Sequence, residues 1–360
     1  MMDTLRLGFC CKYIPADGDV VVARRMNIAG TTMAYLGRLE PAAAFGKLAS
    51  IVTHNLEALR LQLEWVADRP PLERLLRLSS DLFPGYTHPT CRALYKDPSF
   101  HREIETGLGQ AGALARRAGI RISMHPGQFC VLATFSETAL ANAIDELEYH
   151  AEVLAMMGYG AGWHPHGAHI NVHGGARAPG IQGFRAGLSR ISEAARNLVT
   201  VENDETSYGL DDLLPLADTV PIVLDLHHHW IASGGEYIEP DDPRIAGVIA
   251  SWRGVRPLSH ISVSPEDLLL DHDAATRPDF ASLIASGLKP RNLRAHSDMM
   301  WNKGVNDLVA DHLAWSDFEI EAKFKNLASE QIARHVESRP VVPDRCQAPS
   351  PKPIRAGLER

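Results

Sequence analysis

Arg121-Ile-Ser-Met-His125-Pro-Gly-Gln128-Phe129 is the stretch whose reading decides the fold. A short β-favouring run ends in a histidine, Pro126-Gly127 stops it, and a glutamine and an aromatic stand on the turn beyond. A strand that delivers a polar side chain to its carboxyl end, followed by a shaped loop, is the unit from which α/β barrels build active sites. The unit recurs along the chain. Strands are predicted at residues 5–11, 75–80, 120–125, 168–173, 198–202, 220–225, 256–263 and 318–322. Between them, helical spacing of Leu48, Val52, Leu56, Leu59, Leu63 and Val66 predicts a helix over 45–67. Further helices are predicted at 101–118, closed by Gly119, at 136–157, capped by Ser136, and at 184–197, 210–218, 243–252 and 306–315. Strands alternating with helices in this way define an α/β fold, a single (β/α)8 TIM barrel over residues 1–325, with a C-terminal helix and Pro-rich mobile tail over 326–360.

Bulk composition agrees with a soluble globular chain: 45% of residues are hydrophobic and 22% charged. No apolar run approaches the roughly 20 residues a membrane span requires, and the amino terminus lacks the pattern of a signal peptide. Five scattered cysteines, an odd number, point to reduced thiols in a cytoplasmic compartment. A formal charge of −8 argues mildly against nucleic acid, although bound divalent cations and local basic clusters can reverse the sign where it matters. The seventeen histidines say more, because many stand at predicted segment ends.

His125 follows the third strand, His173 the fourth, Glu202 the fifth, and Asp225 and His228 the sixth; His260 lies in the seventh and Glu321 ends the eighth. His88 and His296 fall in the loops after the second and seventh. Imidazole with carboxylate is the ligand set of zinc, manganese and related divalent ions. One strand-end histidine is more often structural, but so many on one rim exceed the needs of a single ion. His164, His166 and His169 precede the fourth strand and belong to the opposite, stabilising end. Around the sixth strand, alternation would put His227 and His229 on the face of Asp225, whereas a loop starting there would turn His228 inward. Cys10-Cys11 reads as packing, and Gly174-Gly175 as a turn that ends a strand.

Taken together, Leu7-Gly8-Phe9-Cys10, Arg77 to Pro84, Ser123 to Gln128, Val172 to Gly175, Val201 to Glu205, Val223 to His229, Ala295 to Asp298 and Ile320 to Lys323 resemble the UV damage endonucleases. The resemblance implies a barrel related to endonuclease IV, three divalent ions with manganese foremost (magnesium, cobalt or zinc being alternatives), and nicking of DNA immediately 5′ of UV photoproducts. It implies metal ligands at His88, His125, His173, Glu202, Asp225, His228, His260, His296 and Glu321, choosing His228 over its neighbours. Among these, His88, His125, Glu202, Asp225, His260 and Glu321 are the implied catalytic set. Gln128, Phe129, Phe9 and Lys12 are implied at the substrate, the first two as the pair that fills the gap left by extruded bases. The partner is then double-stranded DNA carrying UV lesions, met by a monomer away from any membrane.

Phe129 and Phe9 stand where relatives have tyrosine, and Leu258 stands where some have a carboxylated lysine. Glu319, two residues before Glu321 and therefore on the same face of its strand, is a candidate source of the missing charge. The same barrel also suits an abasic-site endonuclease, a metal-dependent sugar isomerase or epimerase, or a damage-binding protein without cleavage.

Overall fold

A computed structural model describes residues 5–339. Eight parallel strands close in chain order: β1 Leu7–Cys10, β2 Leu75–Leu78, β3 Arg121–Met124, β4 His169–His173, β5 Val199–Glu202, β6 Ile222–Asp225, β7 Leu258–Ile261 and β8 Asp317–Ile320. β8 pairs with β1, so the sheet has no free edge. Seven of the strands lie inside their predicted ranges, while β8 begins one residue early and ends before Glu321.

Alternation along these short strands sorts the side chains into two populations. Leu7, Phe9, Leu76, Leu78, Ile122, Met124, Ile170 and Val172 join one large apolar cluster beneath the helices. Leu75, Val223 and Leu258 form a separate small cluster with Trp252, which floors the barrel interior at its amino-terminal end. At that end the buried Arg121 donates to Asp317 and to the Pro257 carbonyl, both at 2.9 Å. His164 and His169 pack their rings against Trp252, 5.6 and 5.4 Å between centroids, and so belong to the floor.

Most helices form where periodicity and caps direct them. Pro41–Ala67 buries Leu48, Val52, Leu59, Leu63 and Val66, Pro98–Ala118 ends at Gly119 with φ 67°, and Ser136 caps Glu137–Leu154 by accepting from the Ala139 amide. Other expectations are corrected. The helix expected over 184–197 is two, Gly180–Leu188 and Glu193–Arg196, because Ser192 caps a new start. The segment after β6 is the helix Leu226–Ser233 and not a loop. The long connection after β7 contains Phe280–Ala285 and Pro290–Leu293. Lys325–Ser338 is a helix lying against β1 and β8. The tail beyond it lies outside the described residues.

Candidate metal centre

The carboxyl ends of β3 to β8 converge on Glu202, the last residue of β5, which is 1% exposed. His125 Nε2 lies 3.1 Å from its Oε2, His260 Nδ1 3.0 Å and His228 Nδ1 3.4 Å from its Oε1. Asn171, two residues before His173 on β4, donates its amide to Glu202. Burial pushes the Glu202 carboxyl up, but His260, His173, His125 and His228 outweigh it and hold it well below the usual range.

Asp225 both ends β6 and caps the helix that follows: its Oδ1 accepts from the His228 amide at 2.7 Å. That cap replaces strand alternation with helical spacing at the histidine run. His227 turns into the apolar layer and stacks on Trp230, His229 reaches Glu236 at 3.0 Å, and His228 alone faces the centre. Burial pushes the Asp225 carboxyl up to about 6 despite the nearby His228. Burial pulls His228 down, but Asp225 and Glu202 more than reverse it and raise it well above the usual imidazole value.

Seven of the nine expected ligands come together. His125, His173 and Glu202 form one group; Glu202, Asp225 and His228 a second; Asp225, His260 and Glu321 a third; within each group the donor atoms lie within 4.8 Å of one another. The groups share members, so they form one continuous patch. His173 Nδ1 and Asp225 Oδ2 are buried without a hydrogen-bond partner, which is costly unless a cation or water meets them. The donor set and these orphaned atoms fit divalent ions. His296 stands at the margin, its Nδ1 3.8 Å from Glu321 Oε2. His88 joins none of the three groups: it is exposed, caps the helix Pro89–Tyr95, and accepts from the Thr90 amide through Nδ1.

The expected substrate residues divide. Gln128 is exposed, and Phe129 is 84% exposed on the connection after β3, where it lines a cleft of about 490 Å³ with His88. Lys12 is exposed just beyond β1. Phe9 must be corrected: it is 2% exposed and packs edge-on against Trp65, because its place in β1 points it outward beneath the helices. Glu319 faces the interior, fully buried, but lies outside the three donor groups.

Sequence reasoning passed over three further residues. Arg77 on β2 sets Nη1 2.6 Å from Glu321 and 3.3 Å from Glu319; Asn171 supports Glu202; and Glu205, paired with Arg294 at 3.1 Å, lies 3.8 Å from His228 Nε2. For Arg77 a signal existed, a charged residue in an otherwise apolar strand. Phe135 is a second aromatic on the β3 connection, 78% exposed.

Fold and site together define an eight-stranded parallel barrel enzyme-like scaffold with a cluster of histidine and carboxylate donors at its mouth. A family model described as UV-endonuclease UvdE matches residues 5–348. The chain belongs to that family. It is 32% identical over 213 residues to the UV-damage endonuclease of Neurospora crassa, covering 54% of this chain and 32% of that protein. It is 30% identical over 272 residues to the UV-damage endonuclease of Schizosaccharomyces pombe, covering 73% of this chain and 40% of that protein. The chain thus spans well under two thirds of these curated relatives. A crystal structure named SacUVDE shares the fold, with a TM-score of 0.71, 22% identity, and coverage of 92% of this chain and 98% of that one. Among the described residues, no helix is long and apolar enough to cross a membrane.

Proposed function

We propose that this chain is a metal-dependent DNA repair endonuclease that nicks the backbone immediately 5′ of UV photoproducts, leaving a 3′-hydroxyl and a 5′-phosphate. The observation that carries the reading is the convergence of His125, His228 and His260 on the buried carboxylate of Glu202, within one patch of overlapping donor groups. His125, His173, Glu202, Asp225, His228, His260 and Glu321 would hold two or three divalent ions, manganese foremost, with His296 reached by a small shift and His88 by movement of its loop. Such ions lower the pKa of coordinated water and stabilise charge on a leaving oxygen.

The chain's own residues prepare the ground for that chemistry. Glu202 and Glu321 remain charged and so attract cations, while Asn171 and Arg77 fix where those carboxylates point. Gln128 and Phe129 present an amide and a ring to the duplex, suited to filling space left by extruded bases. Lys12 offers a cation to a phosphate. Leu258 sits in the apolar floor, opposite Asp317 in the β7–β8 register, and Glu319 stands opposite His260. In our reading Glu319 contributes the interior negative charge that Leu258 cannot. We further read the protein as a monomer in a reducing cytoplasm, its four described cysteines being free.

The test incubates UV-irradiated, unirradiated and abasic-site duplex with purified protein and Mn²⁺, then maps the nick. The reading expects cleavage 5′ of photoproducts, abolished by chelator and by Glu202→Gln. Cleavage confined to abasic sites, or binding without metal-dependent nicking, would overturn it.

A further inference from the structure

The connection from β8 to the helix Lys325–Ser338 is pinned between two loops of the barrel mouth. Lys323 and Phe324 donate their backbone amides to the Ser297 and Asp298 carbonyls, at 3.0 and 2.9 Å, just beyond His296. On the other side, the buried Asn326 side chain accepts from the Ile14 amide at 2.7 Å and donates to the Ile14 carbonyl at 3.1 Å. Lys325 lies between these anchors with φ 47°, a left-handed backbone that a residue with a β-carbon seldom adopts. Such a conformation persists only where its surroundings impose it, and it gathers at functional sites. The Lys325 side chain is partly buried, yet its ammonium has no hydrogen bond or ion pair among the described residues. Neighbouring cations are answered by the protein itself: Lys323 reaches Asp298 at 3.0 Å, and Arg294 reaches Glu205 at 3.1 Å.

The groups that feel this charge mark its position. Burial raises the Cys11 thiol and lowers the His296 imidazole, and Lys325 adds a downward pull on both. The ammonium therefore stands between the end of β1 and the His296 margin of the donor patch. A partly desolvated cation without a partner is costly unless an anion from outside meets it. In α/β barrels the loops after the seventh and eighth strands often receive a phosphate, and Lys325 belongs to that region. We propose that Lys325 is a substrate-binding residue whose ammonium takes a backbone phosphate of the DNA beside the donor patch. Such a contact carries no sequence information but fixes the register of the strand against the ions. Lys325 is then neither a metal ligand nor a proton carrier. It also differs from the exposed Lys12, because its backbone is tied to the His296 loop and its neighbour Asn326 to Ile14. The phosphate is thereby placed as well as attracted.

This inference rests on the nuclease reading above, and the experiment separates the two. Lys325→Met, Lys325→Arg and Lys325→Gly are compared with the parent, each as the Mn²⁺-loaded full chain. Fluorescence anisotropy follows binding to a duplex carrying one photoproduct, over a range of KCl concentrations, with a phosphorothioate 5′ of the lesion to slow nicking. Each phosphate neutralised by a protein cation adds about 0.9 to the slope of log affinity against log salt. Lys325→Met is expected to weaken binding about tenfold at low salt, and to make the slope shallower by about 0.9. The loss should be alike for irradiated and unirradiated duplex, and Lys325→Arg, which keeps the charge, should retain most of the affinity and slope. Lys325→Gly relieves the left-handed backbone, so it should melt no lower than the parent and still show the loss seen with Lys325→Met. Mn²⁺ binding by calorimetry is expected to stay as in the parent. Variants whose affinity and salt slope match the parent, or whose loss is confined to thermal stability, would overturn the inference. Nicking of plain irradiated duplex is scored separately. A parent that binds but does not nick overturns the nuclease reading alone, and one that binds no DNA overturns both.

Discussion

Phe129 exposes 84% of its surface at the mouth of the barrel, an arrangement with no benefit to stability. A ring on which a base can stack contributes about 1–3 kcal/mol to binding. Phe129→Ala should weaken affinity for irradiated duplex by that amount while Mn²⁺ binding stays unchanged, measured by competition gel shift and calorimetry. Unaltered affinity would remove the wedge from the reading. His150 belongs to stability instead. It is fully buried on the helix Glu137–Leu154, and burial pulls its pKa down to about 4. The unfolded chain protonates near the ordinary value of about 6.5, so the folded state binds fewer protons between these limits. Stability from this group is complete above about 6.5 and is lost as pH falls toward 4. At pH 5 the loss is about 2 kcal/mol. Denaturant unfolding of metal-free protein at pH 7.5 and 5 should show it, and His150→Leu should reduce the difference by that amount.

At the scale of elements, close approach matters as much as apolar pattern. Gly112 lies in the helix Pro98–Ala118, where a glycine alone reads as a weakness. Its neighbour explains it: a β-carbon there would stand 1.8 Å from the Met157 carbonyl oxygen on the turn that follows the helix Glu137–Leu154. Gly112→Ala should therefore destabilise the protein by more than about 2 kcal/mol, although the same change stabilises an isolated helix. A neutral or stabilising effect in urea unfolding would mean that the two elements separate at little cost. The helix Leu226–Ser233 shows a related limit. Leu226-His-His-His carries no clear period, and Asp225 begins the helix only because its side chain, ending a buried strand, reaches the His228 amide. Ser136, by contrast, caps an amphipathic run and was legible beforehand.

For the molecule as a whole, the donor patch joins six strands, so a bound ion ties together segments far apart in the chain. Anything that binds only the folded state stabilises it, by about 2.7 kcal/mol per site at a hundredfold excess over Kd. Stripping divalent ions with a chelator should lower the melting temperature, and Mn²⁺ in excess should restore it, with Glu202→Gln responding weakly. A melting temperature indifferent to chelator and Mn²⁺ would count against a metal centre. By itself the sequence determined that strands and helices alternate, because β-runs and helical periods are local, and it placed imidazoles and carboxylates at strand ends. Tertiary structure alone decided which of them meet. Closure of the barrel set the heights at which β4 to β8 end, making Glu202 the meeting point, leaving His88 on the rim and turning Phe9 into the core. Alternation along a strand fixes which face a residue takes, but the distance between side chains on different strands depends on register and on the helix that follows each one.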